Sequence, residues 1–288
     1  MTGTAVVLAL ASAVCFGLGL TLTQFGLRDA TPSAGAAISI PTSTLLLVLA
    51  APFGLAGSVP QWAAVPVFAG VGLLFPAAVT LITFEANRRL GPVIAGSLGN
   101  LAPVFAVLLA FFLLGEPLRV GQLVGLAVIL AGIAALTVPT GKRIAGWRSW
   151  YVVLPLAAAA LRGIVQPVIK LGLVVWPSPF AAALVGYLVS SVVVVVSLRR
   201  RTGGWRPTLS RRAAAWFAGV GLCNGLAVLL MYAALARGPV SLVSPLVATY
   251  PLVTVIASAL VLQAIENQIR IAMGAALTVA GVGLLLVA

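Results

Sequence analysis

The sequence predicts an all-α integral membrane protein whose ten transmembrane helices form two inverted five-helix repeats. Hydrophobic residues make up 62% of the 288 residues and charged residues only 7%, and the mean hydropathy is +1.20. A soluble domain of this length cannot bury so large an apolar share, so most side chains must face lipid. The stretch from Gly91 to Pro103 also returns as Gly238 to Pro251. A repeat offset by about half the chain predicts two similar halves.

The apolar runs give the helices in order, since a spanning helix needs about 20 predominantly apolar residues. The predicted spans are residues 3–27, 33–57, 62–84, 91–114, 119–138, 151–173, 177–198, 213–236, 239–262 and 267–287. The first is not predicted to be a cleaved signal peptide, because no basic residue precedes Arg28 and nine further spans follow. The repeat divides the chain into residues 1–138 and 151–288, which a linker at 139–150 joins.

Tryptophan and proline mark the ends and the weak points of these spans. The six tryptophans lie at or near helix starts or in connections, where an indole can sit at the level of the lipid headgroups. A proline inside a span removes a backbone donor and favours a break, and four such prolines are the candidate breaks: Pro76, Pro103, Pro167 and Pro251. Within a membrane, a break is tolerated where protein or a wet cavity satisfies the freed carbonyl. We therefore expect these prolines to mark helix breaks or gates.

The distribution of basic residues predicts the orientation. Connections after odd-numbered spans hold 13 basic residues when Arg270, at the start of the tenth span, is counted with them, whereas those after even-numbered spans hold Arg119, Arg237 and, at a helix end, Lys170. The positive-inside rule therefore places the odd connections in the cytoplasm and both termini outside. Because each repeat has an odd number of helices, the halves must be inverted, as in many secondary transporters. The net charge of +13 is thus assigned to contact with membrane lipids, and we expect no nucleic-acid partner.

Two duplicated sets of residues resemble the EamA family of the drug/metabolite transporter superfamily. They are Gly91-Pro-Val, Pro103-Val-Phe, Leu114-Gly-Glu116, Gly125 and Ala131-Gly132 in the first half, and Tyr232-Ala-Ala-Leu-Ala-Arg-Gly-Pro-Val, Pro251, Glu266, Gly274 and Ala280-Gly281 in the second. The resemblance covers nearly the whole chain and makes residues 1–138 and 151–288 the two EamA-like repeats. It implies two inverted five-helix bundles around a central cavity, and export or exchange of small metabolites. Many members are expected to keep their termini in the cytoplasm, so the resemblance and the loop charges leave the orientation open.

The sixth predicted span carries polar residues on one helical face. Arg162, Gln166 and Lys170 recur at i, i+4 and i+8, and Arg162 lies about 16 Å from the helix start, near the midplane. Ionisable groups inside spans are costly and mark candidate sites, so Arg162 is predicted to hold substrate; alternatively it pairs with helix-end carbonyls or with Glu85. Lys170 either contacts substrate or extends to the lipid headgroups. The repeat places Gln24 at the position equivalent to Lys170.

Further candidate substrate contacts flank two of the prolines. Asn100 lies three residues before Pro103, and Thr249 and Tyr250 directly precede Pro251. Broken helices at matching positions of the two halves are typical of transporter binding sites, so these polar side chains are predicted to contact substrate. The alternative is that they only join neighbouring helices, each contributing about 1 kcal/mol.

Small residues predict close helix packing in both halves. The glycines concerned lie in the fifth and tenth spans: Gly121, Gly125, Gly132, Gly274 and Gly281. Glycine lets two helix backbones approach closely. The partner helix belongs either to the same chain or to another protomer, so a homodimer stays open as an alternative.

The composition excludes several functions. The chain has no histidine and four carboxylates, so it offers neither a zinc site nor histidine-based acid–base catalysis. The sequence also lacks the Gly-x-x-x-x-Gly-Lys phosphate loop. We therefore expect no enzymatic activity, no cofactor and no metal. Glu85, at the end of the third predicted span, is the one carboxylate that could bind a proton or a cationic substrate in turn, so a cationic drug is a poor candidate substrate, whereas Arg162 favours anionic or zwitterionic molecules.

Together these patterns predict an alternating-access secondary transporter, an exporter or exchanger of small metabolites such as amino acids or other carboxylate-bearing solutes. The substrate would bind between the first, fourth, sixth and ninth spans of a multi-pass protein in a bacterial plasma membrane. One alternative is a flippase for an anionic lipid-linked carrier, with the basic segment 199–212 as its landing surface. Another is a non-transporting membrane protein that binds a partner protein through its glycine faces.

Overall fold

The computed structural model describes residues 2–83, 85–86, 89, 98–137, 149–205, 207, 209–262 and 268–287. Helices form the regular structure of these residues, and no strand occurs among them. In chain order they are α1 (Thr2–Gly26), α2 (Pro32–Gly54), α3 (Val65–Gly72), α4 (Ala102–Leu114), α5 (Val120–Thr137), α6 (Val153–Val175), α7 (Pro179–Thr202), α8 (Arg211–Leu235), α9 (Val240–Val247), α10 (Tyr250–Leu262) and α11 (Gln268–Val287). Glu266, residues 91–97 of the fourth predicted span and most of the predicted linker lie outside the described residues.

The helices have the length and apolar composition of a multi-pass membrane protein. Within the described residues, seven can cross a membrane by these criteria: Gly3–Gly26, Pro32–Gly54, Trp62–Thr83, Trp150–Val175, Pro179–Thr202, Arg211–Leu235 and Val240–Ala257. Three further apolar helices are shorter, namely Ala102–Leu114, Val120–Ala135 and Ala272–Val287. The predicted all-helical membrane class is therefore confirmed, whereas the count of ten spans and the inversion of the halves stay predictions.

The outer surface of the bundle is apolar, as lipid contact requires. Large hydrophobic side chains are mostly exposed on it, among them Phe53 on α2, Phe112 on α4 and Val174 on α6. The interior holds many small residues, since alanines such as Ala9 and Ala182 are completely buried. Small buried residues let helices pack closely where no hydrophobic effect between helices drives association.

The ninth predicted span is interrupted just before its proline. Residues 239–262 form two helices, α9 and α10, which a turn at Ala248 and Thr249 separates. The first half has a turn at the matching place, Asn100 and Leu101, directly ahead of α4. In each half the proline then lies in the first turn of the following helix, where its missing N–H would have had no intrahelical partner.

The other two prolines predicted to mark breaks, Pro76 and Pro167, differ from each other. Phe75 has an extended backbone (φ −138°, ψ 130°) immediately before Pro76, because the residue before a proline avoids the helical conformation. The third span is therefore interrupted by a π-helical turn, Leu73–Ala78. In contrast, α6 runs without interruption through Pro167, so the break predicted there is absent. A long, packed helix can accommodate the loss of one backbone hydrogen bond.

The helices of the two halves pack against each other in matching pairs. α1 packs on α8, α9 and α10, whereas α6 packs on α3 and α4. α2 contacts α8, and α7 contacts α3. α2 also packs on α7, and α5 on α11. By repeat order, α1 corresponds to α6, α2 to α7, α3 to α8, α4 to α9 and α10 together, and α5 to α11. Replacing each helix by its counterpart turns every contact of this set into another contact of the same set.

α5 and α11 approach so closely that their glycines face backbone atoms of the other helix. A Cβ atom at Gly132 would lie 2.6 Å from the amide nitrogen of Thr278 and 2.8 Å from the carbonyl oxygen of Gly274. A Cβ at Gly281 would lie 2.7 Å from the amide nitrogen of Ile129 and 3.0 Å from the carbonyl oxygen of Gly125. Gly132 and Gly281, which face Gly274 and Gly125 across the contact, therefore serve packing within the chain.

Alanine at Gly281 is expected to lower the free energy of unfolding by about 1–3 kcal/mol, the usual cost of overpacking. Gly283, two residues further along the same helix, supplies a matched control because a Cβ there would have no neighbouring heavy atom within 4 Å. Gly283→Ala should be neutral or slightly stabilising, since alanine is the better helix former. Thermal unfolding in detergent compares the two variants, and equal midpoints would contradict the packing described.

Candidate functional site

A cavity of about 540 Å³ lies between the two halves of the chain. Its walls come from α1 and α2 in the first half and from α6, α7, α8 and α9 in the second, with residues of the broken helices between them. Most of the wall is apolar, including Phe16, Leu20 and Phe75. Membrane transporters commonly bind their substrates at such an interface between repeats.

The cavity reaches one end of the bundle, which we call the mouth end. Here α1 ends and α2 and α8 begin, and Phe25 stacks on Trp216 with ring centroids 5.0 Å apart. Leu27 and Pro32, at the connection between α1 and α2, line the cavity. Exposed basic residues gather at this end: Arg28, Arg89, Arg199, Arg200, Arg201, Arg211 and Arg212. By the positive-inside rule the mouth end would face the cytoplasm.

The opposite end of the bundle, which we call the closed end, contributes no wall to the cavity. There α6 ends beside the connection between α2 and α3, where the indole N–H of Trp176 donates a 2.9 Å hydrogen bond to the hydroxyl of Ser58. Gln166 is the last residue of α6 that lines the cavity. The cavity thus extends from the mouth end into the middle of the bundle and stops there.

Three polar side chains on the cavity wall have a buried atom without a hydrogen-bond partner in the described part of the chain. These atoms are Nε of Arg162, Oε1 of Gln166 and Oγ of Ser244. Gln166 and Ser244 are almost wholly buried. A buried polar group left unsatisfied costs about 1–3 kcal/mol, so a ligand that satisfied all three would gain affinity from each.

Most other buried hydroxyls in the bundle have partners. Ser12 donates to the carbonyl of Ala227 over 2.7 Å, and Ser43 donates to the carbonyl of Gly221 over 2.6 Å. Ser190 likewise joins two helices by donating to the carbonyl of a neighbouring glycine. Each of these three hydroxyls has an acceptor on a neighbouring helix, whereas the hydroxyl of Ser244 has no hydrogen-bond partner among the described residues.

The two broken helices meet at a hydrogen bond between Asn100 and Tyr250. The phenol O–H of Tyr250 donates to Oδ1 of Asn100 over 3.0 Å, and both residues line the cavity. Phe16 lies beside Tyr250, with ring centroids 6.4 Å apart. The structure thus brings together two of the polar residues predicted from the proline positions, one from each half.

The remaining predicted site residues divide between the cavity wall and the surrounding structure. Gln24 lines the cavity near the mouth end, as do Pro76 and Pro103. Thr249 is buried away from the wall and donates to the carbonyl of Leu246 over 2.7 Å. Three residues lie off the wall: Lys170, Pro167 and Pro251. Glu85, the alternative partner predicted for Arg162, accepts a hydrogen bond from Nε of Arg89.

Lys170 forms an ion pair with Glu116 at the closed end. Its ammonium donates to Oε1 of Glu116 over 2.9 Å and to the carbonyl of Gly238 over 2.7 Å. The same carboxylate accepts hydrogen bonds from the backbone N–H groups of Val240 (2.8 Å) and Ser241 (2.9 Å). Glu116 therefore caps the first turn of α9, where the partial positive charge of a helix end favours an anion.

Glu116 follows α4 and lies outside the membrane-spanning segments. Burial raises the pKa of its carboxyl, whereas the N–H groups of Ser241 and Val240 and the ammonium of Lys170 lower it. The lowering is the larger effect, so the pKa is below its ordinary value. Glu116 is consequently ionised at neutral pH. Two of the three N–H donors of Lys170 are used within the protein, and Lys170 lies off the cavity wall, so its contact with substrate stays a prediction that this geometry does not support.

Sequence reasoning missed Glu116 and Ser244. Glu116 falls in the connection between the fourth and fifth predicted spans, and only the family resemblance includes it. The glycine before it adopts φ +65° and turns the chain back toward the bundle. A Gly-Glu pair directly after an apolar helix was the available signal. Ser244 gave none, because a serine in an apolar helix usually joins helices, and its lack of a partner is a property of the tertiary structure.

Comparison with known proteins adds the family and the fold. The profile of the EamA-like transporter family matches the chain twice, at residues 3–138 and 149–287. No curated protein matches the chain at a significant level. A solved structure described only as the crystal structure of a protein superimposes with a TM-score of 0.81 at 20% sequence identity, covering 99% of this chain and 96% of that one. At this identity the likeness supports the fold alone.

Proposed function

We propose that this chain, which belongs to the EamA-like transporter family, is an alternating-access secondary transporter for small carboxylate-bearing metabolites, including zwitterionic amino acids. Membership of the family makes it a multi-pass membrane protein of a transporter type, and we place it in a bacterial plasma membrane. The observation that carries the proposal is the set of unpartnered polar atoms of Arg162, Gln166 and Ser244 on the wall of one cavity.

The charge of the cavity supports an anionic group on the substrate. Among the described residues that form its wall, Arg162 is the one charged side chain, and no carboxylate is present. A guanidinium binds a carboxylate through two parallel hydrogen bonds. A cation would instead leave Arg162 unpaired and bring a second positive charge beside it. The apolar remainder of the wall suits the hydrocarbon part of an organic acid or amino acid.

Three observations support movement of two related halves. The family profile matches each half separately, the packing pairs of one half have counterparts in the other, and a turn precedes Pro103 and Pro251 at matching places. The rival function as a partner-binding protein is disfavoured, because Gly132 and Gly281 already serve the contact between α5 and α11.

Thermal unfolding of the purified protein across amino acids, organic anions and organic cations tests the proposal. A ligand that binds only the folded state raises the midpoint, by mass action. We expect shifts with carboxylates or zwitterions in the unchanged protein and none in Arg162→Gln. Arg237→Gln is the matched control, since Arg237 is exposed and donates to the carbonyl of Ala233 near the end of α8.

The outcomes separate the rival functions. Shifts with cations alone, or equal shifts in Arg162→Gln and the unchanged protein, would remove Arg162 from the site and overturn the proposed substrate class. Stabilisation by lipid-linked anions alone, with none by free carboxylates, would favour the flippase. No shift with any ligand, together with no saturable flux in proteoliposomes, would overturn transport.

A further inference from the structure

We propose that Glu116, Lys170 and the first turn of α9 form a gate that closes the cavity at the closed end. The gate would open whenever the cavity is exposed to that side of the membrane. This inference rests on the proposed function, because it requires the cavity to open to the two sides in turn. It assigns a conformational role to a group of residues that does not contact the substrate.

The gate joins the two halves of the chain. Glu116 follows α4 in the first half, whereas Lys170 is on α6 and the N–H groups of Val240 and Ser241 begin α9 in the second half. Separation of α4 from α6 and α9 at this end would break these three contacts. Opening of the closed end would therefore require the carboxylate of Glu116 to leave the ammonium of Lys170 and the two N–H groups of α9.

The position of the ion pair along α6 also fits a gate. Lys170 lies two helical turns beyond Arg162, about 12 Å along the axis at 1.5 Å per residue, in the direction away from the mouth end. None of Glu116, Lys170 and Gly238 belongs to the cavity wall. The ion pair thus lies between the cavity and the closed end of the bundle.

The contacts are individually strong and yet depend on a single side chain. Hydrogen bonds to an ionised carboxylate are roughly twice as strong as neutral ones, and Glu116 accepts three of them while it is nearly buried. Because all three end on one carboxylate, its departure releases them together. A contact of this kind has two states, formed or broken, as a gate requires.

Thiol labelling from each side of the membrane tests the gate without any substrate. The native thiols are removed by Cys15→Ala and Cys223→Ala, and Leu20→Cys places a reporter on the cavity wall, where Leu20 is 43% exposed. Membrane vesicles of both orientations are treated with a membrane-impermeant methanethiosulfonate. We expect labelling from the mouth side alone in this background. Glu116→Gln should raise the labelling rate from the closed side by roughly tenfold or more, because it removes the charge that strengthens all three hydrogen bonds.

Two further variants make the result specific. Lys170→Gln removes the other charge and should also raise labelling from the closed side. Glu85→Gln is the matched control, because Glu85 pairs with Arg89 near the mouth end, and it should leave the closed-side rate unchanged. An unchanged closed-side rate in folded Glu116→Gln and Lys170→Gln would overturn the gate, as would fast closed-side labelling in the background protein.

Folding is checked by gel filtration and thermal unfolding of each variant. If Glu116→Gln alone fails to fold, Lys170→Gln decides the result. Loss of folding in both would identify a structural joint and overturn the gate. Because labelling needs no ligand, a failed ligand screen would leave this result intact, and the gate and the proposed substrate can be rejected separately.

Discussion

Replacing Arg162 with glutamine is expected to reduce substrate flux by roughly 30-fold or more. Truncating one partner of a buried, hydrogen-bonded charge pair costs about 2–5 kcal/mol, and each 1.4 kcal/mol corresponds to about a factor of ten in affinity. Glutamine retains hydrogen-bonding capacity but not the positive charge. The measurement is counterflow of a carboxylate identified by thermal unfolding, in proteoliposomes that contain equal amounts of folded protein.

Lysine at position 162 separates charge from geometry. It keeps the positive charge but loses the planar guanidinium that binds a carboxylate through two hydrogen bonds. We expect Arg162→Lys to transport at a rate between those of the unchanged protein and Arg162→Gln. Arg237→Gln should transport normally because Arg237 is exposed at a helix end. Normal flux in Arg162→Gln would mean that Arg162 has a structural role only.

Removal of the Glu116 side chain is expected to destabilise the protein by about 3–5 kcal/mol, the usual effect of deleting one partner of a buried ion pair. Glu116→Ala leaves the ammonium of Lys170 without its counter-charge and leaves the N–H groups of Val240 and Ser241 without an acceptor. The free energy of unfolding is measured by denaturation in mixed micelles at pH 7, where the lowered pKa of Glu116 keeps it ionised.

A double substitution tests whether the loss comes from the unpaired charge. Glu116→Ala combined with Lys170→Met removes both charges and should recover part of the stability, since an apolar replacement of a buried pair is often nearly neutral. Glu85→Ala should cost less than about 1 kcal/mol, because the pair of Glu85 with Arg89 is partly exposed. Equal losses in Glu116→Ala and in the double variant would contradict a role for the charge.

The parts of the fold that lipid dictates were predictable from the sequence. Apolar runs bounded by tryptophans gave the helices, because a spanning segment must satisfy its own backbone and present apolar side chains to lipid. The family was predicted from the duplicated residues and is confirmed by both profile matches. The helical spacing of Arg162 and Gln166 likewise placed both on one face, and the structure has both on the cavity wall.

Features that depend on contacts between distant helices were not predictable. Lys170 and Glu116 are 54 residues apart, and their pairing follows from the packing of the end of α4 against the start of α9. Proline content alone did not distinguish Pro167, which stays within a continuous helix, from Pro251, which starts a new one. Both features depend on contacts with neighbouring helices, and a local sequence pattern does not describe such contacts.

The seam between α5 and α11 restricts how the halves can move. The two helices come from different halves, and at Gly132 and Gly281 there is no room even for a methyl group between their backbones. A Cβ atom at either position would lie 2.6–3.0 Å from backbone atoms of the other helix, so this close contact requires glycine at both positions. This contact opposes sliding of one helix along the other, whereas a rotation about the contact would keep the glycines facing the partner backbone. The seam would then act as a pivot, so that closing of the mouth end accompanies opening of the closed end.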